Sequence, residues 1–269
     1  MVVRPGLLLA IAASLLWACA TPAETLARVR DARYVLLGEV HDNPEHHRQR
    51  AQLLRQLLSD GRPTRVLFEQ MPRGSDAAIG AAPRDAEAVA DAGRLDRQGW
   101  RWPLHRPLFD AALAGGARVA GANLERDAAR AVVREGATSL PADVQALMAL
   151  PWTPAQQALL ERTIDAGHCG LLPRERWPAM ALAQRARDAA MARTMLDAPA
   201  GERVVLIAGN GHVREDIGVP HYLRGAGVPE RSIASVAYLE EGDADAGPFD
   251  LVRRSPRAAR ADPCQALRR

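Results

Sequence analysis

Short apolar runs alternate with longer segments of helical periodicity along the 269-residue chain, and this alternation limits the folds that it can adopt. The runs lie at residues 33–38, 65–69, 117–121, 203–208 and 232–239. Continuous apolar runs of this length are typical of strands that are buried on both faces. Because strands that alternate with helices usually form a parallel sheet, the sequence predicts an α/β fold with a mostly parallel central sheet flanked by helices.

Helix signals follow the first run. Asn43 is a predicted N-cap and Pro44 occupies the first helical position, and the leucines at 53, 54, 57 and 58 share one face of the expected helix. Residues 141–197 have a helical pattern throughout, which predicts a helical insertion before the last strands. We therefore expect an α/β domain over residues 30–240, followed by a loop-like C-terminal tail at residues 241–269.

The first twenty residues have the organisation of an export signal. A basic residue, Arg4, precedes an apolar run at residues 7–17 and small residues around Cys19. The run is too short to cross a bilayer. Two endings stay open, because Cys19 can be lipidated as in a lipoprotein or residues 18–20 can be cut by an ordinary signal peptidase. Either ending predicts an exported protein, in the periplasm or anchored to the outer membrane as a lipoprotein.

The basic residues exclude several kinds of chemistry. All 35 of them are arginines, so a Schiff-base lysine or a P-loop lysine is ruled out. The net charge of +3 is spread along the chain, which argues against nucleic acid as a partner. If Cys19 is processed, Cys169 and Cys264 remain and can pair in an oxidising compartment, although the sequence does not establish the pairing.

Two copies of Gly-x-x-His carry the sharpest functional signal. They end at His41 and His212, and each directly follows a predicted buried strand. Ligands of open parallel sheets bind beyond the carboxyl ends of the strands, so these two histidines can converge although they are distant in sequence. Glu39 shares the turn of His41, and Glu69 closes the second strand at the same end of the sheet.

Glu39, His41, Glu69 and His212 are therefore the candidate catalytic and metal-binding residues. Two imidazoles and two carboxylates suit a divalent metal such as zinc or manganese, or a general acid and base without a metal. Spacing does not distinguish these uses. The alternative is structural: the histidines hydrogen-bond loop carbonyls, and Glu69 forms an ion pair with an arginine.

Further polar residues have two interpretations each. The His-Cys pair at 168–169 is a loop or a weak ligand motif. Arg187 and Asp188 lie in an apolar-rich helix, where they form a structural ion pair or a wall of the site. His46 and His47 begin the helix after the first strand and can edge the site, although a solvated surface position is the commoner outcome.

Several ordered motifs resemble the ChaN-like haem-binding family, which belongs with the Tiki/TraB and erythromycin-esterase-like groups. The resemblance spans residues 32–238. Its motifs are Gly-Glu-Val-His-Asp-Asn-Pro-Glu-His-His at 38–47, Phe-Glu-Gln-Met at 68–71, His-Cys-Gly-Leu-Leu-Pro at 168–173, Ala-Gln-Arg-Ala-Arg-Asp-Ala-Ala-Met-Ala at 183–192, Ala-Gly-Asn-Gly-His-Val-Arg at 208–214 and Gly-Val-Pro at 218–220.

The resemblance implies an exported protein that binds haem for iron uptake or storage, with an outer-membrane haem receptor as a partner. It also implies a homodimer that holds paired haems, with a tyrosine as the iron ligand. Tyr222 is the best candidate for that ligand, and His221 and His168 are the other candidate haem-binding residues. Some groups of the superfamily contain metal-dependent peptidases or hydrolases, which gives the alternative function.

Overall fold

A computed structural model of the chain describes residues 22–243, 247–262 and 264–265, so the predicted signal segment and Cys19 lie outside the described residues. The described strands form one six-stranded sheet in the order β3-β2-β4-β1-β5-β6, and every neighbouring pair is parallel. The prediction of an α/β fold with a parallel central sheet is confirmed. The strands are β1 Tyr34–Leu37, β2 Thr64–Pro72, β3 Arg118–Asn123, β4 Arg203–Ile207, β5 Ile233–Glu240 and β6 Leu251–Ser255.

Helices cover both faces of the sheet. They are α1 Pro22–Asp31, α2 Pro44–Leu58, α3 Asp76–Ala81, α4 Ala86–Ala92, α5 Arg106–Ala114, α6 Arg126–Glu135, α7 Ala142–Met148, α8 Pro154–Gly167, α9 Trp177–Leu196, α10 Asn210–Val213 and α11 Val219–Gly225. Successive residues of a strand point to opposite faces. Val35 and Leu37 accordingly join one core, which α2 and α5 cover, whereas Tyr34 and Leu36 join the other.

The start of α2 follows the sequence prediction. Asn43 caps the helix, because its side chain accepts hydrogen bonds from the first turn, and Pro44 follows it. The four leucines of the predicted face are buried. His46 and His47 are buried as well, so the expectation of solvated surface histidines is wrong. The ring of His46 contacts the carbonyl oxygen of Leu239, and the ring of His47 contacts that of His41.

Residues 141–197 contain α7, α8 and the 20-residue α9, which packs on both of the other two. Helix α9 also contacts β3 and α6, so it forms part of the layer on the sheet. Its residues Gln184 and Arg187 face the carboxyl ends of the strands. Among the described residues, none of the helices is long and apolar enough to cross a membrane.

The C-terminal segment is more ordered than the predicted tail. Strand β6 pairs with β5, and a disulfide joins Cys264 to Cys169 across 95 residues. The guanidinium of Arg260 forms an ion pair with the buried carboxylate of Glu240. Strand β6 was not predicted because it is an edge strand of five residues, two of which are arginines, so it lacks a long apolar run.

Candidate functional site

The site lies where three neighbouring strands end. His41 follows β1, Glu69 is part of β2, and His212 lies in the short helix after β4. Because the sheet order places β2, β4 and β1 side by side, these side chains reach a common cleft with a volume of about 810 Å³. The structure therefore brings together Glu39, His41, Glu69 and His212, as the parallel topology led us to expect.

The carboxylate of Glu39 contacts several side chains in one half of the cleft. Its side chain is fully buried, and its Oε1 lies 2.7 Å from Nδ1 of His41 and 3.3 Å from Nε2 of His105. The guanidinium of Arg50, also fully buried, pairs with the Glu39 carboxylate. A buried carboxylate needs such partners. Glu39 thus lines the cleft, but its carboxylate is buried against these partners and fixes the orientation of the His41 ring.

Two neutral histidines support this arrangement. Burial lowers the pKa of His47 and of His105 to about 3, so both rings are uncharged at neutral pH. Arg50 Nη2 donates to Nδ1 of His47 at 2.9 Å, and Nε2 of His47 donates to the carbonyl oxygen of His41 at 2.9 Å. These bonds hold the turn that carries His41.

His41 presents its other ring nitrogen to the cleft. Nδ1 donates to Glu39, which leaves Nε2 as a lone-pair donor. The side chain is 47% exposed, so a ligand can reach it. Nε2 has no hydrogen-bond partner among the residues that the structure describes. The ring of Trp100 packs edge-on against the imidazole, with 4.9 Å between the ring centroids.

His212 occupies the opposite half of the cleft as a cation. Its Nδ1 lies 2.6 Å from Oδ1 of Asp188, and its Nε2 lies 3.2 Å from Oε1 of Glu69. Burial alone would lower the pKa of His212, but the two carboxylates outweigh burial and raise it to about 10. Both ring nitrogens therefore donate hydrogen bonds at neutral pH. Asp188, which the sequence left as an ion pair or a wall of the site, holds this imidazolium.

The four residues predicted as zinc or manganese ligands line one cleft, where each is bonded to another side chain. The four residues form two hydrogen-bonded pairs, and His212 has no lone pair to offer. Within the described parts of the chain, one acid-histidine group has ligand atoms within 4.8 Å of one another, namely Glu39, His41 and His105. There Glu39 already contacts both histidines and pairs with Arg50. The donors fit an oriented histidine better than a closed metal site.

The three residues predicted to bind haem lie away from this cleft. Tyr222 is fully buried in the core, its hydroxyl accepts a hydrogen bond from Arg185, and burial raises its pKa well above the ordinary value. Its hydroxyl therefore does not face the cleft in this structure. His221 lies on α11 and packs against Trp152. His168 directly follows α8, and its Nδ1 lies 2.7 Å from the backbone oxygen of Ile164.

Two residues of the site were not predicted from the sequence. His105 is the N-cap of α5, and Arg50 lies inside α2. The buried position of Arg50 carried a signal, since a charged residue one turn before the leucines at 53 and 54 falls on the apolar face of α2. His105 had no such signal, because its partner Glu39 is 66 residues away.

Comparisons with known proteins agree with this architecture. A family model described as "Haem-binding uptake, Tiki superfamily, ChaN" matches residues 25–223. Among solved structures, ChaN of Campylobacter jejuni with cofacial haem is 21% identical, with a TM-score of 0.71 over 87% of this chain and 91% of that one. No curated protein matches the chain.

More distant structures share the fold less closely. A mutant of the erythromycin esterase EreC in its open conformation is 16% identical, with a TM-score of 0.46 over 82% of this chain and 73% of that one. The RRSP effector domain of a Vibrio vulnificus MARTX toxin is 17% identical, with a TM-score of 0.42 over 84% of this chain and 36% of that one.

Proposed function

Because the chain belongs to the haem-binding uptake family of the Tiki superfamily that includes ChaN, we propose that it is an exported haem-binding protein of iron uptake or storage. We place the haem in the cleft beside His41. The observation that carries this placement is the state of that histidine: a carboxylate holds Nδ1, and the ring lines the cleft with no hydrogen bond from Nε2 to the described residues. A histidine whose other nitrogen donates to a carboxylate is a typical oriented metal ligand.

The cleft suits haem in other respects. Its volume of about 810 Å³ lies within the range of small-molecule and cofactor sites. Val40, Trp100 and Leu239 supply apolar wall, while Arg187 and Asn210 supply polar groups. In this proposal Nε2 of His41 would ligate the haem iron. The absorption of haem in the Soret region would report binding.

Export is the second element of the proposal. Disulfides persist in oxidising compartments, and the bond between Cys169 and Cys264 is consistent with a periplasmic location. A signal sequence at residues 1–20, with Cys19 as the lipid anchor of an outer-membrane lipoprotein, would deliver the chain there. A homodimer and an outer-membrane haem receptor, which the resemblance to the ChaN-like family implies, complete the proposal.

A hemin titration followed in the Soret region tests the haem site. We expect the full chain to bind hemin and His41→Ala to lower the affinity by about 100-fold or more, because the iron loses its ligand. His168→Ala is the control, since His168 lies outside the cleft. Unchanged binding by His41→Ala, or a loss of binding in Tyr222→Phe, would contradict the proposed ligand.

Gly209 permits a second test of the same position. Its φ of −69° is open to any residue, but a Cβ there would lie 3.0 Å from Nε2 and 2.9 Å from Cε1 of His41. We expect Gly209→Ala to fold normally and to weaken hemin binding by about tenfold or more, since the methyl group obstructs the nitrogen. Gly211→Ala is the matched control, because a Cβ at 211 meets no atom within 4 Å. Equal affinities of the two variants would show that hemin does not approach Nε2.

A metal-independent hydrolase is the second candidate. The observation that favours it is the pairing of a carboxylate-held His41, suited to act as a general base, with the His212 cation across the cleft. It differs from the metal-dependent hydrolase or peptidase that the sequence suggested. Hydrolysis of an ester or amide that survives a chelator and is lost in His41→Ala would support it. Metal-dependent turnover would support the earlier alternative.

A further inference from the structure

A second cavity adjoins the cleft. Its volume is about 490 Å³, and it runs from the end of β2 to the start of α6. Glu69, Trp100 and Arg187 line both spaces. A ligand that occupies the cleft can therefore extend past Arg187 into the second cavity.

Arg187 has hydrogen-bond donors to spare. Its Nη1 donates to the amide oxygen of Asn123 at 3.1 Å, which is a neutral acceptor. No carboxylate of the described residues lies within ion-pair distance of its guanidinium, and the nearby acids Glu69 and Asp188 are bound to His212. A guanidinium has five N–H donors. Most of the donors of Arg187 therefore have no hydrogen-bond acceptor among the described residues.

The other arginines of the second cavity are already paired. Arg94 binds the carboxylate of Glu125 at 2.5 Å, and Arg126 binds that of Asp96 at 2.8 Å. Arg187 is thus the arginine of this cavity without a carboxylate partner in the described parts of the chain. A planar guanidinium binds carboxylates through paired hydrogen bonds, so the missing partner is most simply a carboxylate of the ligand.

We propose that the second cavity takes the carboxylate end of the ligand and that Arg187 binds it. For haem, these carboxylates are the propionate side chains. The inference rests on the proposed function, which places haem in the cleft. It adds a determinant of selectivity: the site should favour a ligand with a free acid over the same ligand without one.

Paired titrations of the full chain with hemin and with hemin dimethyl ester test the proposal, because the ester masks only the carboxylates. We expect the wild type to bind hemin about tenfold more tightly than the ester. Arg187→Gln should remove this preference by weakening hemin binding alone, and Arg187→Lys should retain part of it. Arg134→Gln is the charge-matched control, since Arg134 is exposed on α6 and lines neither cavity.

The outcomes separate this inference from the proposed function. Wild-type binding of both ligands with equal affinity, unchanged in Arg187→Gln, would overturn the carboxylate subsite and leave haem binding in place. Failure of the wild type to bind either ligand would overturn the proposed function and this inference with it. If Arg187→Gln loses ester binding as well, the side chain acts on the fold and the inference is wrong. Circular dichroism of each variant confirms that it is folded.

Discussion

Loss of the bond between Cys169 and Cys264 is expected to lower the free energy of unfolding by about 4 kcal/mol. The bond closes a loop of 95 residues that contains α9 and the last three strands. A cross-link over so long a loop removes many conformations from the unfolded chain. Denaturant titration of Cys264→Ser and of the double variant Cys169→Ser/Cys264→Ser measures the loss. The two variants should lose equally, because either substitution removes the same bond.

Reductant and a third cysteine provide the controls. Reductant should destabilise the wild type to the level of the variants and leave the variants unchanged. Cys19→Ser should behave as the wild type in both conditions, since Cys19 takes no part in this disulfide. A wild type whose unfolding is insensitive to a reductant that opens the bond would contradict the expected stabilisation.

Replacement of Arg50 by methionine is expected to cost about 4 kcal/mol of stability. Arg50 and Glu39 are both fully buried, and their side chains form an ion pair under the cleft. Removing the guanidinium leaves a carboxylate in the interior without its compensating charge, which costs more than the attraction itself contributes. Arg48→Met on the same helix is the control, because Arg48 is 65% exposed and its pair with Glu45 contributes less than about 1 kcal/mol.

A double variant separates the lost charge from lost packing. Arg50→Met/Glu39→Gln removes both charges, so we expect it to be more stable than Arg50→Met alone. Denaturant unfolding of the wild type, the two single variants and the double variant gives the coupling free energy. A double variant that loses the sum of the two single losses would show that the buried charge is not the cause.

Much of the fold could be predicted from local sequence. Strands buried on both faces need continuous apolar runs, and β1 and β4 have them. The N-cap Asn43 and the following Pro44 indicate where α2 begins. Strand β6 could not be found in this way, because an edge strand needs one neighbour and one covered face only. The partner of Cys169 also stayed open, since the approach of the C-terminal segment to α8 depends on the tertiary fold.

The site was predictable in position but not in its internal bonding. Two glycine-histidine turns after parallel strands indicate where ligands bind, and His41 and His212 do line one cleft. The state of each histidine depends on residues from other elements. Asp188 reaches His212 from α9, and His105 reaches Glu39 from α5. These partners make His41 a neutral base and His212 a cation. The spacing of the residues along the chain does not reveal this difference.

The adjacency of β2, β4 and β1 has a consequence for how this protein and its relatives diverge. Neighbouring strands are about 4.8 Å apart, so backbone hydrogen bonds set the separation between the reactive groups. Arg187 and Trp100, by contrast, come from a helix and a turn at the rim. Substitutions at these two positions can change which ligand binds, while the spacing of the strands stays the same. Ligand preference can thus change independently of the spacing of the reactive groups.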